Sequence, residues 1–230
     1  MLLLYAGNVF SQDVDDIKKE INQIIRYDTD LDFKNTPGFI VGILDGDSTY
    51  YISFGERSRS EKESLRKDDI FEIGSISKVI TSSMVALLEQ QGKIERNQAI
   101  NDLLPDSKKN PRLENLTIKD LLNHQSGFPK VPRHMGSSQK VIQDPYQHYN
   151  KEDLLDYYTH YVSDKKKRAF SYSHTGYALL EILLETAMSK AYDDLARVHI
   201  FEPLEMKNSF ITFKEKVEIV QGYNLSLIHI

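Results

Sequence analysis

The feature that most restricts this chain is a single short β-hairpin signature followed by helical periodicity over most of what remains. Phe39 to Leu44 and Thr49 to Phe54 are β-branched and aromatic runs joined at Asp45-Gly46-Asp47, a composition that favours a tight two-strand turn. Before the hairpin, Val14, Ile17, Ile21 and Ile24 recur at helical spacing and predict an amphipathic helix from Asp13 to Arg26, with Pro37-Gly38 closing the linker. After it, the spacing predicts helices over 75–91, 117–123, 151–162, 175–188 and 191–201. A lone two-stranded hairpin is marginal in water, so helices must cover it or further strands must extend it. The order is that of an α+β chain.

With 230 residues, 40% apolar and 27% charged, the chain can bury a sizeable core in one domain or two interleaved subdomains, which excludes disordered and fibrous classes. Its 29 basic and 34 acidic side chains give a net charge of −5 and no broad basic surface, so nucleic acid is not an expected partner. The absence of cysteine excludes thiolate catalysis, zinc–thiolate and iron–sulfur sites and disulfides. No histidine pair has metal-ligand spacing with a carboxylate helper, so no metal and no cofactor are expected. The run 165–168 reads as a solvated loop.

The two ends stand apart from the fold. Residues 1–12, opening Met-Leu-Leu-Leu-Tyr, resemble the back half of a secretory signal cut near Ser11 or Gln12, although the charged region that begins such signals is missing; an ordinary N-terminus is the alternative. The apolar run is too short to span a bilayer, and the signal reading implies a periplasmic or secreted bacterial protein. Residues 225–230 read as the translation of a sequencing adapter, which gives His229 no functional meaning. The expected domain is therefore 13–224.

The chemistry begins at Phe71-Glu72-Ile73-Gly74-Ser75-Ile76-Ser77-Lys78. A serine followed three residues later by lysine is weak alone, and the chain has four such pairs. Those at Ser64/Lys67, Ser137/Lys140 and Ser163/Lys166 lie in polar surroundings, whereas Ser75 and Lys78 open an apolar helix and are expected to be partly buried. There the two side chains share one face, about 5–6 Å apart at Cβ. The helix dipole and partial burial disfavour an ammonium, so Lys78 can act as a base toward Ser75. The alternative is a helix-capping serine and a solvent-facing lysine. Two more segments carry polar residues at sharp turns. Thr117 to Pro129 reads as a short capped helix running into Ser126-Gly127, and Phe170-Ser171-Tyr172-Ser173-His174-Thr175-Gly176 precedes an apolar helix.

Together these segments resemble the serine β-lactamase and penicillin-binding-protein superfamily, in particular its class C β-lactamase, esterase and D-amino-acid-peptidase branch. The resemblance covers 13–224 and rests on the Ser-X-X-Lys box at Ser75 and Lys78, the His-X-Ser-Gly-hydrophobic-Pro turn at His124 to Pro129 and the Tyr-X-Asn box at Tyr172. A fourth match is Ile200-Phe201-Glu202-Pro203-Leu204-Glu205-Met206, similar to the family's Ile-Phe-X-Pro-Leu-Gly-Met. It implies a β-lactamase/transpeptidase-like α+β fold, an antiparallel sheet plus a helical subdomain with the active site where they meet. It also implies that Ser75 is the acylated nucleophile, Lys78 its proton acceptor and electrostatic partner, and Tyr172 the shared acid and base. The Ser75 backbone N–H would serve as one oxyanion donor. Without the motif, Tyr172 would read as one of thirteen tyrosines filling a core. His124 is expected to hold the turn rather than act as a base, and Ser126 to form it.

Two departures shape the functional expectation. The family's Asn is His174 here, a substrate-binding position where an imidazole replaces an amide that both donates and accepts, and Lys167-Arg168 stand where Pro-Gly often precedes the box. That change bears on β-lactam amide recognition more than on ester or peptide cleavage. The third family box, Lys/His-Thr/Ser-Gly on a later strand, has no counterpart after Met206, and His174-Thr175-Gly176 matches its letters in the wrong place. The sheet is accordingly expected to be incomplete at the C-terminus, and the chain as given to be a poor catalyst. The expected function is a serine hydrolase acting through an acyl-enzyme on a small ester, a D-amino-acid peptide or a β-lactam. The alternatives are a non-catalytic cell-wall-peptide-binding relative and an intracellular helical interaction protein.

Overall fold

A computed structural model of the chain describes residues 9–28, 33, 36–132, 149–163, 169–212 and 218–222. The expected tail at 225–230, most of the expected leader, the Ser137/Lys140 pair and Lys166 lie outside the described residues. The chain divides into two compact units, 1–72 with 215–230, and 73–214.

The first unit holds helix α1 (Val9–Asp28) and the hairpin β1 (Gly38–Asp45) and β2 (Ser48–Gly55). Helix α1 starts at Val9, inside the stretch expected to be a leader. The strands pair antiparallel from Gly38↔Gly55 to Asp45↔Ser48, so the turn centres on Gly46 and Asp47. Gly46 has φ +58 while Asp47 is not among the residues with positive φ, the pattern of a hairpin turn with glycine at its first central position. Alternation buries Ile52 and Phe54, and Phe39 stacks on Phe54 with ring centroids 4.8 Å apart. Ile70 and Ile219 form an isolated parallel bridge, Val220 N–H donating to the Ile70 carbonyl at 2.8 Å.

The second unit is helical: α2 (Ser77–Gln90), α3 (Ile118–Leu122), α4 (Lys151–His160), α5 (His174–Met188) and α6 (Tyr192–Ala196), the last running into a π-helical turn, Arg197–Phe201. Helix α5 is apolar nearly all round, and such a helix belongs inside a core. It packs against α2, α3, α4 and α6, with Leu179, Leu180, Leu183 and Leu184 buried. The caps of α3 and α4 follow from sequence: Thr117 with Asp120, and Asn150 with Asp153, each close a reciprocal capping box.

Residues 100–113 carry no helical or strand period, and the structure shows why they are ordered. Fully buried Asn110 donates through Nδ2 to the carbonyls of Tyr158 and Tyr161 at 2.7 and 2.8 Å. Asn101 accepts from the Asn110 N–H at 3.0 Å and from the Tyr158 hydroxyl at 2.7 Å. Removing the Asn110 amide takes away the Tyr161 carbonyl's donor and one of the two on the Tyr158 carbonyl, so Asn110→Ala is expected to lower unfolding stability by about 1–3 kcal/mol, read by denaturant titration.

Candidate active site

Every described side chain singled out as a candidate for chemistry lies in the second unit. Ser75 sits in a 3-10 turn, Gly74–Ile76, that leads into α2, and Lys78 is the second residue of that helix. The pair is more open than expected: Ser75 is exposed and Lys78 half-buried, beside exposed Ile73, Ile76 and Val79. Lys78 Nζ donates to Ser75 Oγ at 3.4 Å. Tyr172, 97 positions away in sequence, brings its hydroxyl to Ser75 Oγ at 2.8 Å. The Lys78 ammonium also lies over the Tyr172 and Tyr177 rings, 5.2 and 5.5 Å from their centroids. The structure thus brings together Ser75, Lys78 and Tyr172, with the His174 ring edge-on to Tyr172 at 5.3 Å.

The 124–130 turn holds Tyr172 there. His124 has φ +56, and its Nδ1 accepts the Ser173 N–H at 3.1 Å. That fixes the remaining ring proton on Nε2 when the imidazole is neutral. The His124 carbonyl accepts the Ser171 N–H at 2.8 Å, and its ring lies 4.5 Å from that of Tyr172. Gly127, at φ +82, adopts a conformation a side chain resists, and a Cβ there would come within 3.0 Å of Ser163 Oγ. Ser126 bonds within the turn, accepting the Phe128 N–H at 3.3 Å.

Electrostatics follow from the same contacts. The Ser75 hydrogen bond is the chief influence holding the Tyr172 phenol below its ordinary value of 10.0, helped by Lys78 and Lys130 and opposed by partial burial. Burial, with Lys78 nearby, lowers His124 below 6.5; burial, Lys78, Lys130 and His124 lower His174. Among the described residues no group of three His, Asp or Glu could hold a metal ion, and no helix is long and apolar enough to cross a membrane.

Sequence reasoning missed Lys130, whose carbonyl accepts the N–H groups of His174 and Thr175 at 2.9 and 3.3 Å. It also missed Tyr177, whose hydroxyl donates to the Leu122 carbonyl at 3.0 Å. Lys130 directly follows the Ser-Gly-Phe-Pro turn, a signal that was available; Tyr177 carries none beyond its place one turn into α5.

The family model described as Beta-lactamase matches residues 25–220. The chain is 31% identical over 180 residues to penicillin-binding protein 4* of Bacillus subtilis, covering 75% of this chain and 37% of that protein. It is 24% identical over 228 residues to a beta-lactamase of Providencia stuartii, covering 97% and 53%. A beta-lactamase/D-alanine carboxypeptidase structure from Yersinia pestis superposes with TM-score 0.68 at 22% identity, covering 84% of this chain and 55% of that one. The chain therefore spans roughly half the length of these relatives or less.

Because the folded pKa of His124 lies below its unfolded value, the unfolded chain takes up the proton first. The contribution of neutral His124 is complete above 6.5 and is lost as pH falls from there toward the folded value. Melting temperatures recorded from about pH 8 to about pH 5 are expected to fall for the native chain, and His124→Ala is expected to melt lower at pH 8 with a shallower fall. A stable His124→Ala variant that no longer reacts at Ser75 would place His124 in the chemistry instead.

Proposed function

This chain belongs to the beta-lactamase family, a family of serine hydrolases, and from that premise we propose that it cleaves its substrate through an acyl-enzyme on Ser75, with Lys78 and Tyr172 completing the centre. The observation that carries the reading is the Tyr172 hydroxyl 2.8 Å from Ser75 Oγ, with the Lys78 ammonium on the same oxygen.

The shorter contact makes Tyr172 the first acceptor of the Ser75 proton, and Lys78 the charge that favours the phenolate. Ser75 Oγ attacks the carbonyl carbon as its proton passes to Tyr172 Oη, and the oxyanion that forms lies against the Ser75 N–H at the helix start. Tyr172 then protonates the departing alkoxide or amine, leaving the acyl group on Ser75. A water molecule gives its proton to Tyr172 and attacks the ester carbonyl, and the returning proton restores Ser75. The substrates we propose are esters and D-amino-acid peptides ahead of β-lactams. A neutral His174 ring offers one donor and one acceptor from two separate ring nitrogens, set by its tautomer, where the family's amide offers both from one group.

Ser75→Ala is expected to abolish covalent labelling by a fluorophosphonate or a fluorescent penicillin, while Ser64→Ala leaves it intact. Lys78→Ala and Tyr172→Phe are each expected to slow labelling by about 10²-fold or more, the scale for losing a positioned acid or base. Muropeptide binding with no labelling of the unmodified chain would instead select a non-catalytic binding protein.

A further inference from the structure

The His174 end of α5 opens into a cavity of about 360 Å³ that also carries Glu181 and Glu185, which the chemistry above does not use. Its apolar wall includes Pro132, Tyr149, Leu154, Ala178, Ile182 and Tyr192. Along one side run His174, Ala178, Glu181 and Glu185, spaced so that they share one face of α5. His174 is the end nearest the nucleophile, since its ring touches that of Tyr172.

The two acidic residues differ in what holds them. Glu185 is occupied: it pairs with Lys151 at 2.6 Å and accepts the Tyr192 N–H at 2.9 Å. Glu181, half-buried beside this apolar wall, has no hydrogen-bond or ion-pair partner among the described residues. Burial and the Glu185 charge push it up to about 7, while Lys78 pulls it the other way. A half-buried carboxyl without a protein partner, set beside an apolar wall, is what a ligand with an apolar body and a cationic donor would pair with.

We propose that this cavity is the acyl-side specificity pocket of the enzyme and that Glu181 selects substrates whose acyl group carries an amine cation on a hydrocarbon chain. The inference rests on the hydrolase reading above for the position of the reacting carbon. Geometry sets the chain length. His174 and Glu181 are seven residues apart, about 10 Å along the helix, and the Glu181 side chain leans back toward the N-terminus, which leaves a span that a chain of about six atoms bridges. An ammonium arriving there meets a carboxylate with no competing partner, in surroundings where a charge-assisted hydrogen bond is stronger than in water.

The test uses the whole chain and two probes of equal size, n-hexylammonium and 1-hexanol, titrated by NMR at about pH 8, where the carboxyl is ionised and the amine cationic. The native chain is expected to bind the ammonium about tenfold or more tightly, the scale of one hydrogen bond to a charged group. Glu181→Gln is expected to bind both alike, and Ala178→Phe, which fills the cavity, to bind neither. Equal affinities in the native chain, a preference that survives Glu181→Gln, or undiminished binding in a normally melting Ala178→Phe variant would each overturn the proposal. Fluorophosphonate labelling of the same samples separates the two readings. Labelling at Ser75 without an ammonium preference removes the pocket and keeps the hydrolase. A Glu181-dependent preference without labelling removes the hydrolase and keeps the pocket as a cation-binding site.

Discussion

Tyr172 reaches Ser75 because the segment that carries it is laced to the 124–130 turn. The Ser171 N–H donates to the His124 carbonyl, the Ser173 N–H to His124 Nδ1, and the Ser173 hydroxyl to the Pro129 carbonyl, while the His174 and Thr175 N–H groups share the Lys130 carbonyl. Each such bond is worth only about 0.5–1.5 kcal/mol net, but all lie within five residues, and leaving any buried partner unmatched costs more than the bond gains. Ser173 is the pivot. It is completely buried, and its oxygen also accepts the Gly176 N–H at 3.0 Å as the cap of α5, so the helix start and the turn are set by one side chain. Tyr172, one residue before it, has its backbone position set by that cap, and from there its hydroxyl reaches Ser75 Oγ.

The electrostatics of the centre depend on the same lacing. Lys78 and Lys130 both favour the Tyr172 phenolate, whereas the two imidazoles beside it are pushed toward neutrality by burial and by those cations. A neutral His124 can accept the Ser173 N–H and a protonated one cannot, so the charge state favoured by burial and Lys78 is also the one that holds the turn. Further along α5 the same helix face carries Glu181, without a protein partner among the described residues, and Glu185, which is paired with Lys151.

What could be read from sequence was local. The hairpin, the capped helix at 117–123 and the helix after Ser173 each carry their own turn, cap or period, and the structure places them within a few residues of the expected bounds. The Ser75, His124 and Tyr172 motifs were visible as short strings because each needs particular residue types at fixed offsets. The buried Asn101–Asn110–Tyr158 knot was not, since its partners are up to 57 positions apart and its segment shows no hydrophobic period. The openness of Ser75 was misjudged for a related reason: an apolar neighbourhood in sequence, Ile73, Ile76 and Val79, implies burial only if some element covers that face. Glu181 is one polar position in an apolar helix, and only the fold brings Tyr149, Leu154 and Tyr192 to the same cavity as its carboxyl.

Two places where the sequence departs from the family's strings have different physical meanings. At Glu205 the family carries glycine, and the structure shows the reason for that glycine: the residue has φ +53, a conformation that costs a side chain about 1–2 kcal/mol. Glutamate there leaves the shape of the turn unchanged and moves only its energy, by an amount that well-buried Ile200 and Phe201 just before it can offset. At His174 the backbone N–H donates to the Lys130 carbonyl at the start of α5, a bond that does not involve the side chain. What changes is the group presented beside Tyr172 and at the mouth of the Glu181 cavity. On the proposed hydrolase reading, a side chain that contacts the Tyr172 ring and also lines the Glu181 cavity would alter which acyl groups fit without being part of the Ser75–Tyr172 contact.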